Sequence, residues 1–484
     1  MRGRLYTPEN RKWWTLGAVS IGLFMIMLDN TVVNVALPTI QRSLGLTVSE
    51  LEWIVAGYAL TFGAFMLTGG KLSDLFGRRR IFVAGLVVFT LSSLACGLAG
   101  GAGVLIAARV VQGIGAAMMN PSTLSIITVT FPPRQRGAAI GIWAGVSAMA
   151  LAIGPLVGGL IVEHINWNWI FFINLPVGVV AIGAAFLLID ESKDTSREQR
   201  PDVPGLVTSG LALFALSYGL IEANKYGWTS TRILASFAIA AVMLAAFILL
   251  ELHQRLPMLD LNLFRSRGFS GANCVMLFLS FAMFGVFFYV SLYLQQVLGY
   301  SPIQAGAAFL PWTVLIMVVA PIAGKVSDRI GSRPIVTGGL VLLAGSLFWF
   351  AHLGTAESFW GLLPGMVLGG LGMSASMPPT TAAGMRSVSP DKAGVGSAVM
   401  NSMRQVGGSL GIAVTGAIVA AGVKSARGSG DAPPVAFVHG FHHGLIVSGC
   451  VTLATAVIAF LTLHHVRAHE EPAAATPEFA EVAG

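Results

Sequence analysis

Gly70-Lys71-Leu72-Ser73-Asp74-Leu75-Phe76-Gly77-Arg78-Arg79-Arg80 has an imperfect second copy in Gly324-Lys325-Val326-Ser327-Asp328-Arg329-Ile330-Gly331-Ser332-Arg333. Both stretches sit in short polar gaps between long apolar runs. A repeat on this scale in a hydrophobic chain predicts two related membrane halves. Asp74 falls where it caps or faces a helix end, and Arg78, Arg79 and Arg80 suit a cytoplasmic face.

The flanking sequence agrees. Of 484 residues, 55% are apolar and 11% charged, where a soluble domain carries about 25% charged residues. Mean hydropathy is +0.76. A span needs roughly 20 mainly apolar residues. Windows of that size predict fourteen helices, near 13–37, 51–70, 80–100, 103–127, 138–162, 169–189, 203–222, 232–251, 269–292, 303–324, 334–352, 358–382, 396–419 and 441–463. An even number puts both termini on one side. Most of the 29 Lys and Arg fall in the gaps on the side of the N-terminus, which makes that side cytoplasmic. The net charge of +7 is thus a topology signal, and its spread over many loops argues against a nucleic-acid partner. The first span is too long for a signal-peptide core and lacks a small-residue cleavage site, so it is expected to stay in the mature protein.

The repeat divides the chain into an N-terminal six-helix half (1–189), an inserted pair of helices with inner linkers (190–267), a C-terminal six-helix half (268–467) and a polar tail (468–484) that reads as disordered. Cys96, Cys274 and Cys450 are far apart and form no disulfide framework. His439, His442 and His443 read as exposed loop residues at the outer entry to the last span, and no metal site is expected.

Further motifs occur in order along the chain. The first span ends Leu28-Asp29-Asn30-Thr31-Val32-Val33-Asn34-Val35-Ala36-Leu37-Pro38; the fourth holds Arg109-Val110-Val111-Gln112-Gly113-Ile114-Gly115-Ala116-Ala117. The fifth holds Gly141 and then Gly154-Pro155-Leu156-Val157-Gly158-Gly159. Trp167-Asn168-Trp169 opens the sixth, and Arg404-Gln405-Val406-Gly407-Gly408-Ser409-Leu410-Gly411 lies in the thirteenth. With the repeated loop, these resemble the major facilitator superfamily, and within it the 14-helix drug:proton antiporter group of the QacA/EmrB type. The chain departs from the pattern at Leu75, where a basic residue is usual, at Ser332, at Ala150 in place of a glycine, and at Asn168 where Arg is common.

The resemblance implies an all-α membrane protein of the major facilitator fold and proton-coupled multidrug or antibiotic efflux by alternating access. It implies a monomer in a bacterial inner membrane, with an amphipathic or cationic small-molecule substrate and protons as partners. No cofactor is expected beyond the proton gradient. Gly154, Pro155, Gly158 and Gly159 correspond to the antiporter motif. Gly70, Asp74, Gly77, Arg78, Gly324, Asp328 and Arg329 correspond to a gating loop that stabilises the outward-open state.

Asp29 is the one carboxylate deep in a predicted span, ~12 Å from the outer end of its window at 1.5 Å per residue. Arg109 lies ~9 Å deep by the same measure. Charges at such depth usually pair or face water. Two readings stand: proton coupling by Asp29 with Arg109, or a static ion pair. The repeat interval carries Asp29 onto Met283, and matching Gly113-Ile114-Gly115 to Gly370-Leu371-Gly372 sets Met366 opposite Arg109. Charges kept in one half only favour chemistry over scaffold.

The candidate substrate cavity combines Asn30, Asn34, Tyr58, Gln112, Asn120, Trp143, Tyr289, Gln296, Trp312, Asn401 and Gln405, a mixture suited to an amphipathic organic molecule. Glu52, at the outer start of the second span, reads as a solvated helix end or an attractor of cations near the exit. A proton-coupled nutrient importer is the first alternative, and a membrane enzyme or channel the second. The absence of H-E-x-x-H and P-loop patterns disfavours an enzyme.

Overall fold

The computed structural model describes residues 8–193, 202–254, 257, 259–388 and 393–463. Among these, 14 helices are long and apolar enough to cross a membrane. They are α1 (Pro8–Leu44), α2 (Val48–Phe76), α3 (Arg78–Gly97), α4 (Ala102–Thr130), α5 (Pro133–His164), α6 (Trp169–Leu188, interrupted at Ile173), α7 (Val203–Tyr226) and α8 (Thr231–His253). Next come α9 (Arg267–Leu292, extended by a π-helical turn over Tyr293–Val297), α10 (Pro302–Ile330, interrupted at Phe309), α11 (Ser332–Phe350), α12 (Phe359–Arg386), α13 (Ala393–Gly428) and α14 (Pro433–Thr462). The tail at 468–484 lies outside the described residues. The end of the bundle that carries Arg78, Arg79 and Arg80 is the inner end, and the opposite one the outer end.

The sequence repeat is a packing repeat. In the first half α4 packs on α2 and α3, α1 on α5 and α6, and α3 on α6. Eight helices later α12 packs on α10 and α11, α9 on α13 and α14, and α11 on α14. The close approaches use matched glycines. Gly113 and Gly115 meet the backbones of α2 at Tyr58 and α3 at Gly85, and Gly370 and Gly372 meet those of α10 at Trp312 and α11 at Gly339. Small residues let membrane helices approach this closely.

The repeated loop supplies the tight inner turns. Gly77 and Gly331 have φ of 113° and 90°, a region open to glycine and costly for residues with a Cβ. Each ends one helix and begins the next. Within the first copy Arg78 donates to Asp74 at 3.0 and 3.1 Å. In the second copy Ser332 stands where Arg78 stands, and Asp328 pairs instead with Arg386 from the end of α12. Arg329 is exposed. Gly70 and Gly324 have room for a Cβ, the nearest atom being Pro121 Cβ at 3.6 Å from Gly70; nothing in this state explains why they are glycines.

The start of α3 is capped from the linker. The backbone N–H groups of Arg79 and Arg80 donate to the Glu191 carboxylate, both at 3.2 Å, and that of Arg78 to the Ser192 carbonyl at 3.0 Å. These donors have no partner within the helix, and a carboxylate complements the positive helix end. The sequence reading missed this use of Glu191.

The inserted pair is not peripheral. α7 lies against both α2 and α13, where the two halves meet, and α8 packs on α7. Trp53 of α2 packs against Phe214 and Tyr218 of α7, and its Nε1 donates to Glu222 at 3.2 Å. Asn224 of α7 donates to the Ala417 carbonyl of α13 at 2.7 Å. One inserted helix therefore holds both halves.

The seam between halves is formed by α2 with α13, α5 with α10, and α1 with α9. Cross-seam hydrogen bonds gather at the outer end. Ser291 donates to the Asn34 carbonyl at 2.8 Å, Gln295 to the Val35 carbonyl at 2.9 Å, and Gln296 to Gln41 at 2.6 Å. Glu163 of α5 accepts from Ser301 and Ile303 at the start of α10. The molecule is closed at its outer end.

Candidate functional site

Asp29 sits midway along α1, and the structure sets it against Arg109 of α4. Arg109 Nη1 donates to Asp29 Oδ2 at 2.5 Å and to Gln112 Oε1 at 2.7 Å. Gln112 Nε2 donates to Asp29 Oδ1 at 3.1 Å, so the amide bridges cation and anion. Arg109 Nε donates to the Ile54 carbonyl of α2 at 3.2 Å. The Tyr58 ring lies 4.2 Å from the guanidinium carbon and the Phe171 ring 5.9 Å. Asp29 is 2% exposed and Arg109 1%. The pair is sealed inside the first half, tied to α1, α2 and α4.

This corrects the proposed cavity wall. Tyr58 and Gln112 surround the ion pair and are buried. Trp312 is fully buried, its ring filling the space above Gly369 on α12, and packs edge-on to Phe287. Asn34 and Asn120 are buried, with the Asn34 amide donating to the Asn30 carbonyl at 3.0 Å. Tyr289 and Gln405 are buried in the seam between halves: Tyr289 donates to Glu52, and Gln405 abuts Gly63. Gln296 is bonded to Gln41 at the outer end. Asn30, Trp143 and Asn401 keep partial exposure; each donates locally, to the Ile26 carbonyl, the Thr123 hydroxyl and the Ser397 carbonyl. In this state the eleven residues do not converge on one wall.

Two further expectations change. His439, His442 and His443 lie within α14, because that helix begins at Pro433, well before the predicted window. His442 Nε2 is 2.7 Å from the Leu353 carbonyl, and no metal-ligand cluster occurs among the described residues. Glu52 is 2% exposed, not a solvated helix end.

The glycines of α5 have two partners. Gly154 and Gly158 face Thr31 and Val32 of α1, just beyond Asp29. Gly159 faces Pro302 and Ile303, and the Pro155 carbonyl faces Gly306, all on α10 of the other half. The motif thus connects the helix bearing Asp29 to the outer seam.

A model of the Major Facilitator Superfamily matches residues 19–412. The chain belongs to the major facilitator superfamily. The facilitator protein is 35% identical over 506 residues to the tetracenomycin C resistance and export protein of Streptomyces glaucescens, covering 95% of this chain and 94% of that one. It is 37% identical over 411 residues to the multidrug resistance protein Stp of Mycobacterium tuberculosis strain CDC 1551 / Oshkosh, covering 84% and 76%. In fold it is similar to a bacterial homologue of the human lysosomal transporter Spinster, crystallised inward-facing and unoccupied. The TM-score is 0.66 at 18% identity, over 93% of this chain and 97% of that one.

The close approach of α5 to α10 makes a prediction for this facilitator. A Cβ at Gly159 would lie 2.5 Å from the Pro302 carbonyl oxygen. Gly159→Val is therefore expected to hold the outer ends apart. Labelling of a cysteine placed at Ser291 by a membrane-impermeant maleimide should quicken severalfold in that background. Equal labelling rates would show that the seam closes without this contact.

Proposed function

We propose that this protein is a proton-driven exporter of amphipathic or cationic organic compounds. It sits in a bacterial inner membrane with both termini cytoplasmic and works by alternating access. The observation that carries this reading is a carboxylate buried deep in α1 and held by one Arg and one Gln. The names of the relatives, which speak of antibiotic resistance and export, support the direction of transport.

The mechanism rests on the connections of the pair. Protonating Asp29 removes the charge that holds Arg109. α1 is then joined to α4 by a weaker bond from the guanidinium to an uncharged carboxyl, while the bond from Arg109 to the Ile54 carbonyl of α2 remains. α1 meets α5 at Gly154 and Gly158, on the same turns where Pro155 and Gly159 meet α10. Arg109 also holds Ile54, two residues from the seam residue Glu52. A proton at Asp29 therefore bears on both outer contacts of the first half, which is what exchange of proton for substrate requires. The inner loop residues Asp74, Gly77 and Arg78 are assigned to switching between states. The proton gradient supplies the energy, with no cofactor.

The test is reconstitution into proteoliposomes with an imposed pH gradient and a fluorescent amphipathic cation. Uphill movement of the dye that collapses with the gradient is expected. Transport that ignores the gradient would remove the proton from the mechanism, and a flat counterflow trace across a panel of toxic compounds would remove export.

A further inference from the structure

Glu52 is a buried carboxylate of the seam, and the coupling reading leaves it without a task. It comes from α2 of the first half, and its Oε1 accepts a hydrogen bond of 2.7 Å from the Tyr289 hydroxyl of α9 in the second half. α13 closes the third side with Gly416, where a Cβ would lie 2.6 Å from Glu52 Cδ. The carboxyl thus fills a notch that only glycine leaves open. Beside it on α7 stands Glu222, which accepts from Nε1 of Trp53, the residue after Glu52, at 3.2 Å. Lys225 lies 3.8 Å from Glu222, and no Lys, Arg or His nitrogen lies within 4 Å of Glu52 among the described residues. A buried carboxylate facing a neutral hydroxyl and a second acid carries an uncompensated charge, and the acid form removes that cost.

We propose that Glu52 is a proton-binding site of the outer gate, which takes one proton from the outer solution as the seam closes and returns it there as the seam opens. Opening parts α2 from α9, so the carboxyl loses Tyr289 and gains water. Its proton does not cross the membrane, which separates this site from Asp29 in both route and task. External acid then favours the closed seam.

Spin labels at cysteines replacing Gln41 and Gln296 report the gate in detergent. An Asp29→Asn background removes the carboxylate of the ion pair, and the buried acids Asp202 and Glu251, at the ends of α7 and α8, are common to both samples. There the closed-to-open ratio should fall with rising pH by up to about tenfold per pH unit, the slope for one linked proton. Adding Glu52→Gln should flatten that slope and leave the gate closed. An unchanged slope overturns the proposal. A second readout needs no substituted background. Infrared spectra at neutral pH should show a protonated carboxyl band in the native protein that is weaker in Glu52→Gln, and identical spectra for the two proteins also overturn it. Neither readout uses transport, so failure here is distinct from failure of the export reading.

Discussion

Arg109→Ala is expected to cost about 3–5 kcal/mol of stability, the range for removing one partner of a buried pair. Asp29 would keep one polar partner, Gln112 Nε2 at 3.1 Å, and face the space left by the guanidinium. It must then stay charged at high cost or bind a proton. Asp29→Asn is expected to cost less. The cation keeps the Gln112 oxygen, the Ile54 carbonyl, the new amide oxygen and the Tyr58 ring. The double variant Asp29→Asn/Arg109→Ala should regain part of what Arg109→Ala loses, because the stranded carboxylate is gone. Thermal melting of the native protein and the three variants in one detergent checks this. Strictly additive losses would mean that the two charges do not stabilise each other.

How far the sequence carries can be read from particular residues. The fourteen spans were legible because length and hydropathy decide them. Gly77 and Gly331 were legible as a repeat, and the structure supplies the cause, a positive φ at each inner turn. The Asp29 and Arg109 contact was legible from matched depth, although α1 runs on to Leu44 and Asp29 lies deeper than the window implied. Gln112 was legible in principle: it stands three residues from Arg109, on the same helical face. Glu52 was not. Its partner Tyr289 is 237 positions away on the other half, and no local pattern announces a buried acid at the second turn of a helix. The outer seam was hidden for a related reason. Ser291 and Gln295 donate to main-chain carbonyls of Asn34 and Val35, and every residue offers such an acceptor. The cavity residues were read by polarity alone, which does not separate a wall from an internal bond.

Asp29→Asn is expected to lower pH-gradient-driven export to the level of protein-free vesicles, while substrate counterflow without a gradient persists. The amide has the size of the carboxyl and still accepts from Arg109, so α1, α2 and α4 stay joined and the two halves can rock. It does not titrate between the two aqueous phases, so no proton is exchanged for substrate. The split between the two assays separates the readings of the ion pair. If Asp29 and Arg109 act only as a clamp, loss of the carboxylate charge weakens the first half, and both activities should fall together in proportion to folded protein. If the carboxylate carries the proton, only the uphill activity is lost. The burial of both side chains, at 0 and 1% exposure, requires that the proton reach Asp29 when the seam rearranges. Gly159→Val, which props the outer end open, should then raise the rate at which a carboxylate-directed carbodiimide added from outside modifies Asp29, and an equal rate in the native protein would place the entry path elsewhere.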